Sequence, residues 1–199
     1  MLLLVAVAGR VQAAALPIVD GFTSVKLTSF ASLAGLGIGV GGLGAATVSP
    51  GSDGTPLAYF PVTGGSIDTG SFAGTIEHVG SGLSLTKGTT TVNLEDFTID
   101  TAGLKLDGLV NGGGPVQLFD IGLSGSPFLP FELKLSSTAG AALAGAFGIP
   151  NLTGAVIGLA NSVPVTTAVP EPSSYAMLAA GLAAIAWVGW RRSRSATQV

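Results

Sequence analysis

Apolar residues alternate with polar ones in short runs along the middle of the chain, and glycine-rich segments separate these runs. The runs include Leu104 and Leu106, Val116 and Leu118, and Phe131, Leu133 and Leu135. Successive side chains of a strand point to opposite faces, so this pattern indicates strands with one buried face. Their short length and regular spacing predict a mainly β fold over residues 16–168, either an antiparallel β-sandwich or a β-barrel.

One predicted strand contains a change of phase. Val92 and Leu94 alternate, and Phe97 and Ile99 resume the alternation after the acidic pair at residues 95–96. An extra residue that shifts the two faces of a strand in this way is typical of a β-bulge or a sheet edge. We therefore expect the strand to bend at residues 95–96.

Two segments predict short helices beside the strands. Residues 30–48 carry no charge, but six of them are glycine, and each glycine costs a helix up to about 1 kcal/mol. We expect a short helix that ends near Gly35, followed by an extended segment. Residues 139–148 predict a second short helix that closes at Gly148, where a left-handed glycine commonly ends a helix.

The composition excludes several classes of protein. The chain has no cysteine and one histidine, which excludes a disulfide scaffold, a thiolate zinc site, a cysteine nucleophile and a multi-histidine metal site. Residues 16–170 hold four lysines and ten acidic residues, a net charge of −6. This acidic charge argues against nucleic-acid binding, and the apolar content of 47% argues against disorder.

The first fifteen residues resemble the end of a secretory signal peptide. A run of eight residues, MLLLVAVA, is mostly apolar and leads to small residues that would allow cleavage after Ala13 or Ala15. The positive segment that opens such a peptide is missing, so we expect residues 1–15 to be a truncated signal peptide. The alternative is that they form the first strand or helix of the domain.

The last thirty residues have three parts. A segment that contains Pro170, Glu171 and Pro172 precedes sixteen uncharged residues, 175–190, and three arginines follow, Arg191, Arg192 and Arg194. The uncharged run would span about 24 Å as a helix, which is short but usable against a bilayer core of about 30 Å. Arginines favour the cytoplasmic side, so this order predicts a single transmembrane helix with the preceding domain outside.

This three-part ending resembles the PEP-CTERM sorting signal of Gram-negative bacteria. The resemblance is carried by Pro170, Glu171 and Pro172, by the apolar run 175–190 and by the arginines Arg191, Arg192 and Arg194. It implies that residues 169–199 are a sorting segment recognised by exosortase, a membrane-embedded processing enzyme that would cut near the Pro-Glu-Pro motif. The alternative, an ordinary C-terminal anchor, explains the helix and the arginines but not the Pro-Glu-Pro.

The resemblance also implies where the protein works. PEP-CTERM proteins are associated with the cell envelope, extracellular polysaccharide and biofilm matrix. We therefore expect an exported protein that resides in the inner membrane before processing and then in the envelope or the extracellular matrix. A polysaccharide is the further partner that the resemblance implies.

The middle of the chain resembles, in its apolar and glycine positions, the HtaA domain of bacterial surface haem-uptake proteins. The segments concerned are residues 59–65, 74–80 and 139–147. This resemblance implies a β-rich fold that binds haem through Tyr59 and His78. The alternative for His78, which shares a predicted strand face with Ile76, is an ordinary hydrogen-bonded histidine of the interior.

Two short motifs are candidates for catalysis. Asp68 opens an Asp-Thr-Gly-Ser sequence like that of aspartic proteases, and Asp100 opens a near copy, Asp-Thr-Ala-Gly. Those enzymes share one proton between two close carboxylates that are carried on two large lobes. The two motifs here lie only 32 residues apart in a body half the size that such enzymes need, so we expect no catalytic residue. The acidic residues are scattered without calcium-loop spacing, and we expect no metal and no resident cofactor. The prediction is a non-enzymatic surface or matrix protein, with a haem or small-ligand binder as the alternative.

Overall fold

The computed structural model describes residues 15–167, 178–183 and 185–186. Residues 15–167 form eleven strands and two helices. In chain order they are β1 (Ala15–Lys26), α1 (Phe30–Gly35), β2 (Gly39–Gly44), β3 (Thr47–Pro50), β4 (Pro56–Pro61), β5 (Gly64–Asp68), β6 (Gly74–Lys87), β7 (Thr90–Asp100), β8 (Lys105–Val110), β9 (Pro115–Leu123), β10 (Phe131–Leu135), α2 (Ser137–Phe147) and β11 (Val156–Thr166).

All strand pairs are antiparallel, and the sheet closes on itself. From β5 to β11 each strand pairs with the next one along the chain, and β1 pairs with both β5 and β11. The closing pair is long, running from Ile18 opposite Thr166 to Lys26 opposite Leu159. The mainly β, antiparallel fold is therefore confirmed, and of the two architectures predicted from the sequence the strands form the closed barrel.

Strands β2 to β4 widen one end of this barrel. The start of β1 pairs with β5, whereas its later residues pair with β4, and β3 lies on the outer side of β4. Strand β6 divides in the same way, with β5 beside its first residues and β2 beside residues 81–86. We call this end the helical end, because α1 and α2 connect strands there.

At the opposite end, three hairpin loops join β5 to β6, β7 to β8 and β9 to β10. We call this end the mouth and define it by loop residues 69–73, 101–104 and 124–130. Strand β1 also begins here, and β11 ends here, because Ala15 pairs with Asp68 and Ile18 with Thr166.

The interior of the barrel is filled by the inward-facing residues that the alternation predicted. Leu118 is only 1% exposed, and the rings of Phe60 and Phe97 meet edge to face with centroids 5.3 Å apart. Edge-to-face packing is the favoured arrangement for two aromatic rings, because the positive edge of one meets the negative face of the other. A smaller apolar cluster, formed by Ile18, Val62, Ile67 and Ile76, lies apart from the main core.

The bend expected at residues 95–96 is present. Asp96 has a φ of 53°, and the pairing of β7 with β8 shifts register between Glu95 and Thr98. The Asp96 side chain accepts a hydrogen bond of 2.7 Å from the backbone N–H of Gly80, in the facing irregular part of β6. The phase change in the sequence thus marks a bulge that two neighbouring strands share.

Both predicted short helices are confirmed. Helix α1 ends at Gly35, and β2 follows it as the expected extended segment. Helix α2 buries Leu143 and Phe147 against the interior and is closed by Gly148, whose φ of 59° is the left-handed conformation expected there. At its start, Ser136 accepts a hydrogen bond from the N–H of Ala139 and donates one of 2.6 Å to the carbonyl of Gln117.

The rest of the chain forms a second unit, residues 168–199. Within it, residues 178–183 and 185–186 are helical, and Leu178, Leu182 and Ile185 are exposed. Among the residues described, no helix has the length and apolarity needed to cross a membrane. The remaining positions of the predicted span 175–190 lie outside the described residues, as do Pro170, Glu171, Pro172, Arg191, Arg192, Arg194 and residues 1–14 of the predicted signal peptide. The span and the signal peptide therefore stay predictions.

The Ser136 hydroxyl joins α2 to β9, so its removal tests how firmly the helical end is held. We expect Ser136→Ala to lower the free energy of unfolding by about 1–2 kcal/mol, since one hydroxyl satisfies both a helix N–H and a strand carbonyl. Urea unfolding monitored by circular dichroism measures this. The neighbouring Ser137→Ala, which changes an exposed hydroxyl, is the matched control and should change stability by less than about 0.5 kcal/mol.

Candidate functional site

A cavity of about 530 Å³ opens inside the barrel at the mouth. Its wall is formed by residues of β1, β5, β6, β7, β9, β10 and β11, among them Ile76, Ile99, Ile121 and Leu133. Among the residues that the structure describes, none that lines the cavity carries a charge, and the few polar groups are hydroxyls of threonine and serine. The sheet places these side chains together because alternate residues of every strand point to the interior. The size and the apolar wall are typical of a small-molecule site.

Two hairpin loops at the mouth present large apolar side chains to this cavity. Phe72 and Leu104 line it and are nevertheless 68% and 54% exposed. Both have a left-handed backbone, with φ of 58° and 50°. Bulky residues rarely adopt this conformation, because the Cβ then lies close to the backbone, so each loop must be held firmly by its surroundings.

Hydrogen bonds supply that support at Phe72. Asp68 accepts bonds from the N–H groups of Gly70 and Ser71 and from the Ser71 hydroxyl, at 2.8 to 3.0 Å. The N–H of Phe72 donates to the Asp68 carbonyl at 2.7 Å, and the hydroxyl of Thr101 donates to the Phe72 carbonyl at 2.7 Å. The first two mouth loops are therefore tied to each other as well as to their own strands.

These bonds also define what the candidate protease motifs do. Asp68 is held by its own loop, and hydrogen bonds, first of all from the backbone N–H of Ser71, lower its pKa. Asp100 makes the equivalent turn, accepting bonds from the N–H groups of Ala102 and Gly103. Each carboxylate accepts hydrogen bonds within its own loop, and neither is hydrogen-bonded to the other. This arrangement is a pair of hairpin turns and lacks the shared proton of an aspartic protease.

The deep end of the cavity carries a short polar network. Thr23 on β1 and Ser162 on β11 face each other across the closing pair of the barrel, with their hydroxyl oxygens 2.9 Å apart. The Thr23 oxygen is also 2.7 Å from Nε2 of His78 on β6. Thr23 and Ser162 both line the cavity, whereas His78 lies deeper, beside a second void of about 50 Å³.

His78 is 1% exposed and lies in the interior of the barrel. It is therefore a hydrogen-bonded interior histidine, which was the alternative to a haem ligand. Its Nδ1 lies 3.2 Å from the carbonyl oxygen of Phe97, so Thr23 and Phe97 occupy both ring nitrogens. Burial lowers the pKa of His78, since the charged ring would lose its hydration, and the ring is therefore neutral at pH 7.

The structure does not bring Tyr59 and His78 together. Tyr59 lies opposite Ser24 of β1 and is 39% exposed, while its neighbour Phe60 lies opposite Thr23 and points inward beside His78. Adjacent residues of a strand point to opposite faces, so Tyr59 is on the outside of the barrel and His78 inside. The pair predicted as haem ligands therefore cannot bind one haem in this arrangement.

Comparison with known proteins supports the interpretation of the C-terminal end. The family model described as the PEP-CTERM protein-sorting motif matches residues 168–193. The chain thus carries a PEP-CTERM sorting signal, as predicted, whereas the resemblance of the barrel to the HtaA domain gains no support. Neither the curated proteins nor the solved structures gave a significant match.

The buried neutral state of His78 predicts a pH dependence of stability. The unfolded chain takes up a proton near the ordinary pKa of 6.5, whereas the folded protein does so only at lower pH. The unfolded state thus binds more protons below pH 6.5, and the free energy of unfolding should fall as the pH falls from 7.5 to 5, by up to about 1.4 kcal/mol per pH unit.

Urea unfolding of the untagged protein at several pH values measures this dependence. His78 is the only histidine, and the aspartates with shifted values titrate below this window: the pKa of Asp68 is lowered, and that of Asp53, hydrogen-bonded by Lys26, is lowered to about 2. His78→Asn keeps an N–H that can reach Phe97 but cannot titrate, so its stability should stay constant between pH 7.5 and 5. An equal loss in both proteins would contradict the assignment to His78.

Proposed function

We propose that this protein is exported, processed by an exosortase-type enzyme and active without catalysis at the cell surface or in the extracellular matrix of a Gram-negative bacterium. The observation that carries the proposal is the PEP-CTERM sorting motif over residues 168–193. A sorting signal of this kind implies export and an encounter with the membrane-embedded processing enzyme. The remaining features of the chain agree with this destination.

The proposed membrane topology follows from the order of charges. Residues 175–190 cross the inner membrane once before processing, with Arg191, Arg192 and Arg194 on the cytoplasmic side. The helical residues 178–183 and 185–186 fall within this segment and expose Leu178, Leu182 and Ile185, as a helix that meets lipid would. The preceding barrel then lies on the exported side, and processing near Pro170, Glu171 and Pro172 separates it from the helix.

The barrel is suited to work outside the cell. It has no cysteine to be oxidised, and its main ring is closed by the pairing of β1 with β11, which removes two edges on which another chain could add a strand. Four lysines and ten acidic residues give it a net charge of −6, which favours solubility and opposes self-association. We include an extracellular polysaccharide as a proposed partner on the strength of the sorting signal.

A role without catalysis is supported by what the candidate chemical groups do. Asp68 and Asp100 accept hydrogen bonds from their own loops, and both nitrogens of His78 are bonded inside the barrel. These three residues, which the sequence offered for catalysis or for haem, therefore have structural roles.

Exosortase processing is tested by replacing Pro170, Glu171 and Pro172 together with alanine. In a host that has exosortase we expect the unchanged protein to lose its C-terminal segment, whereas the variant keeps it, because the processing enzyme no longer recognises the motif. Intact-mass spectrometry of the protein recovered from envelope and medium measures this. The adjacent double variant Ser173→Ala, Ser174→Ala is the matched control and should be processed normally.

The same measurement in a host lacking exosortase should return the intact tail for every variant. If the unchanged protein keeps its tail in both hosts, the processing proposal is wrong. Loss of the tail in both hosts would show that another enzyme removes it, which equally contradicts the proposal.

A further inference from the structure

We propose that the mouth of the barrel binds one small, neutral, mostly apolar molecule that carries a hydroxyl or a similar polar group at its inner end. The inference goes beyond the sorting function and does not depend on it. It rests on four observations: the volume of the cavity, the lack of charge in its described wall, the hydroxyl pair at its inner end, and the apolar side chains of Phe72 and Leu104 at the mouth.

The volume and the wall define the size and polarity of the ligand. A cavity of about 530 Å³ lies within the range of sites for single small molecules, and a polymer chain would need an open groove. An apolar molecule in the cavity would cover wall side chains such as Ile76, Ile121 and Leu133. Each Å² of apolar surface removed from water contributes roughly 25 cal/mol to the free energy of binding.

No charged side chain lines the cavity among residues 15–167, which favours a neutral ligand. An ion taken from water into this wall would find no opposite charge, and burying an unpaired charge is strongly unfavourable. The charges of the neighbouring strands are already engaged, since Asp68 bonds its own loop and Lys105 pairs with Asp107 at 2.8 Å. The net negative charge of the barrel adds a further penalty for carboxylates and phosphates.

The hydroxyls of Thr23 and Ser162 give the ligand its orientation. They lie side by side in an otherwise apolar part of the wall, on the two strands that close the barrel. Hydroxyl groups both donate and accept hydrogen bonds, so the pair can bind an alcohol, a carbonyl or an amide. A ligand with such a group at its inner end would place its apolar part toward the mouth.

Ligand binding explains why the two mouth loops that carry Phe72 and Leu104 keep an unfavourable backbone conformation. A turn that needs a left-handed residue is normally made with glycine or asparagine, yet Phe72 and Leu104 occupy these positions here. Each holds a large apolar side chain at the cavity entrance in water, which costs stability without offering a core contact. Contact with an apolar ligand would recover that cost, so we assign Phe72 and Leu104 to ligand binding.

The test uses the full chain with N-phenyl-1-naphthylamine, a neutral apolar dye whose emission rises in an apolar site. We expect saturable binding of one dye per chain. Phe72→Gly and Leu104→Gly keep the left-handed backbone and should each weaken binding at least fivefold with folding intact. Phe128→Gly is the matched control, because Phe128 is 82% exposed in the third mouth loop and does not line the cavity, and it should bind as the unchanged chain does.

Displacement of the dye tests the chemistry of the ligand. We expect 1-dodecanol to displace the dye at concentrations at least tenfold lower than dodecanoate, which has the same chain length and a charge. Relative to each protein's own affinity for the dye, Ser162→Ala should weaken displacement by dodecanol about threefold to tenfold, the usual effect of one lost hydrogen bond. Equal displacement by the alcohol and the carboxylate would overturn the proposal of a neutral ligand.

Two other outcomes would overturn the site itself. Dye binding that is unaffected by Phe72→Gly and Leu104→Gly would place the dye elsewhere on the chain. The second outcome is that the protein binds no dye but sediments with phosphatidylcholine vesicles, and that Phe72→Gly and Phe128→Gly weaken this sedimentation equally. The mouth would then be a surface that contacts membranes. Neither outcome affects the processing test, because that test reads only the mass of the C-terminal end.

Discussion

The pairing of β1 with β11 is the interaction on which the rest of the barrel depends. It joins residues 18–26 to residues 159–166 and converts a run of hairpins into a closed ring. The hairpins need only local contacts, whereas this pair is formed across almost the whole domain, so its loop-closure entropy is the largest. It also creates the polar end of the cavity, because Thr23 and Ser162 meet only when the ring closes.

The features predicted from the sequence were those that depend on neighbouring residues. Alternating apolar residues marked strands such as β8 and β10, the phase change at residues 95–96 marked a bulge, and glycines marked the ends of both short helices. These three features depend on the local backbone conformation or on which face of a single strand is apolar. A few neighbouring residues are enough to encode either property.

The cavity depends on contacts between distant residues, and the sequence did not reveal it. His78 was placed correctly on an inward face, but its partners Thr23 and Phe97 lie 55 and 19 residues away. Tyr59 was expected beside His78, yet the pairing of β4 with β1 turns it outward. Leu104 was expected on the buried face of a strand, yet it lies in a mouth loop and is 54% exposed. Neither it nor Phe72 could be recognised, because a left-handed backbone at a bulky residue leaves no signal in the sequence.

The order of elements along the chain separates the barrel from its sorting signal. Strand β11 completes the ring at Thr166, and the sorting motif begins at residue 168. The proposed processing near Pro170, Glu171 and Pro172 would therefore leave every described strand and every described residue of the cavity wall in the chain. The strand pairings of the barrel lie within residues 15–166, so the sequence that forms the barrel and the sequence that carries the signal do not overlap.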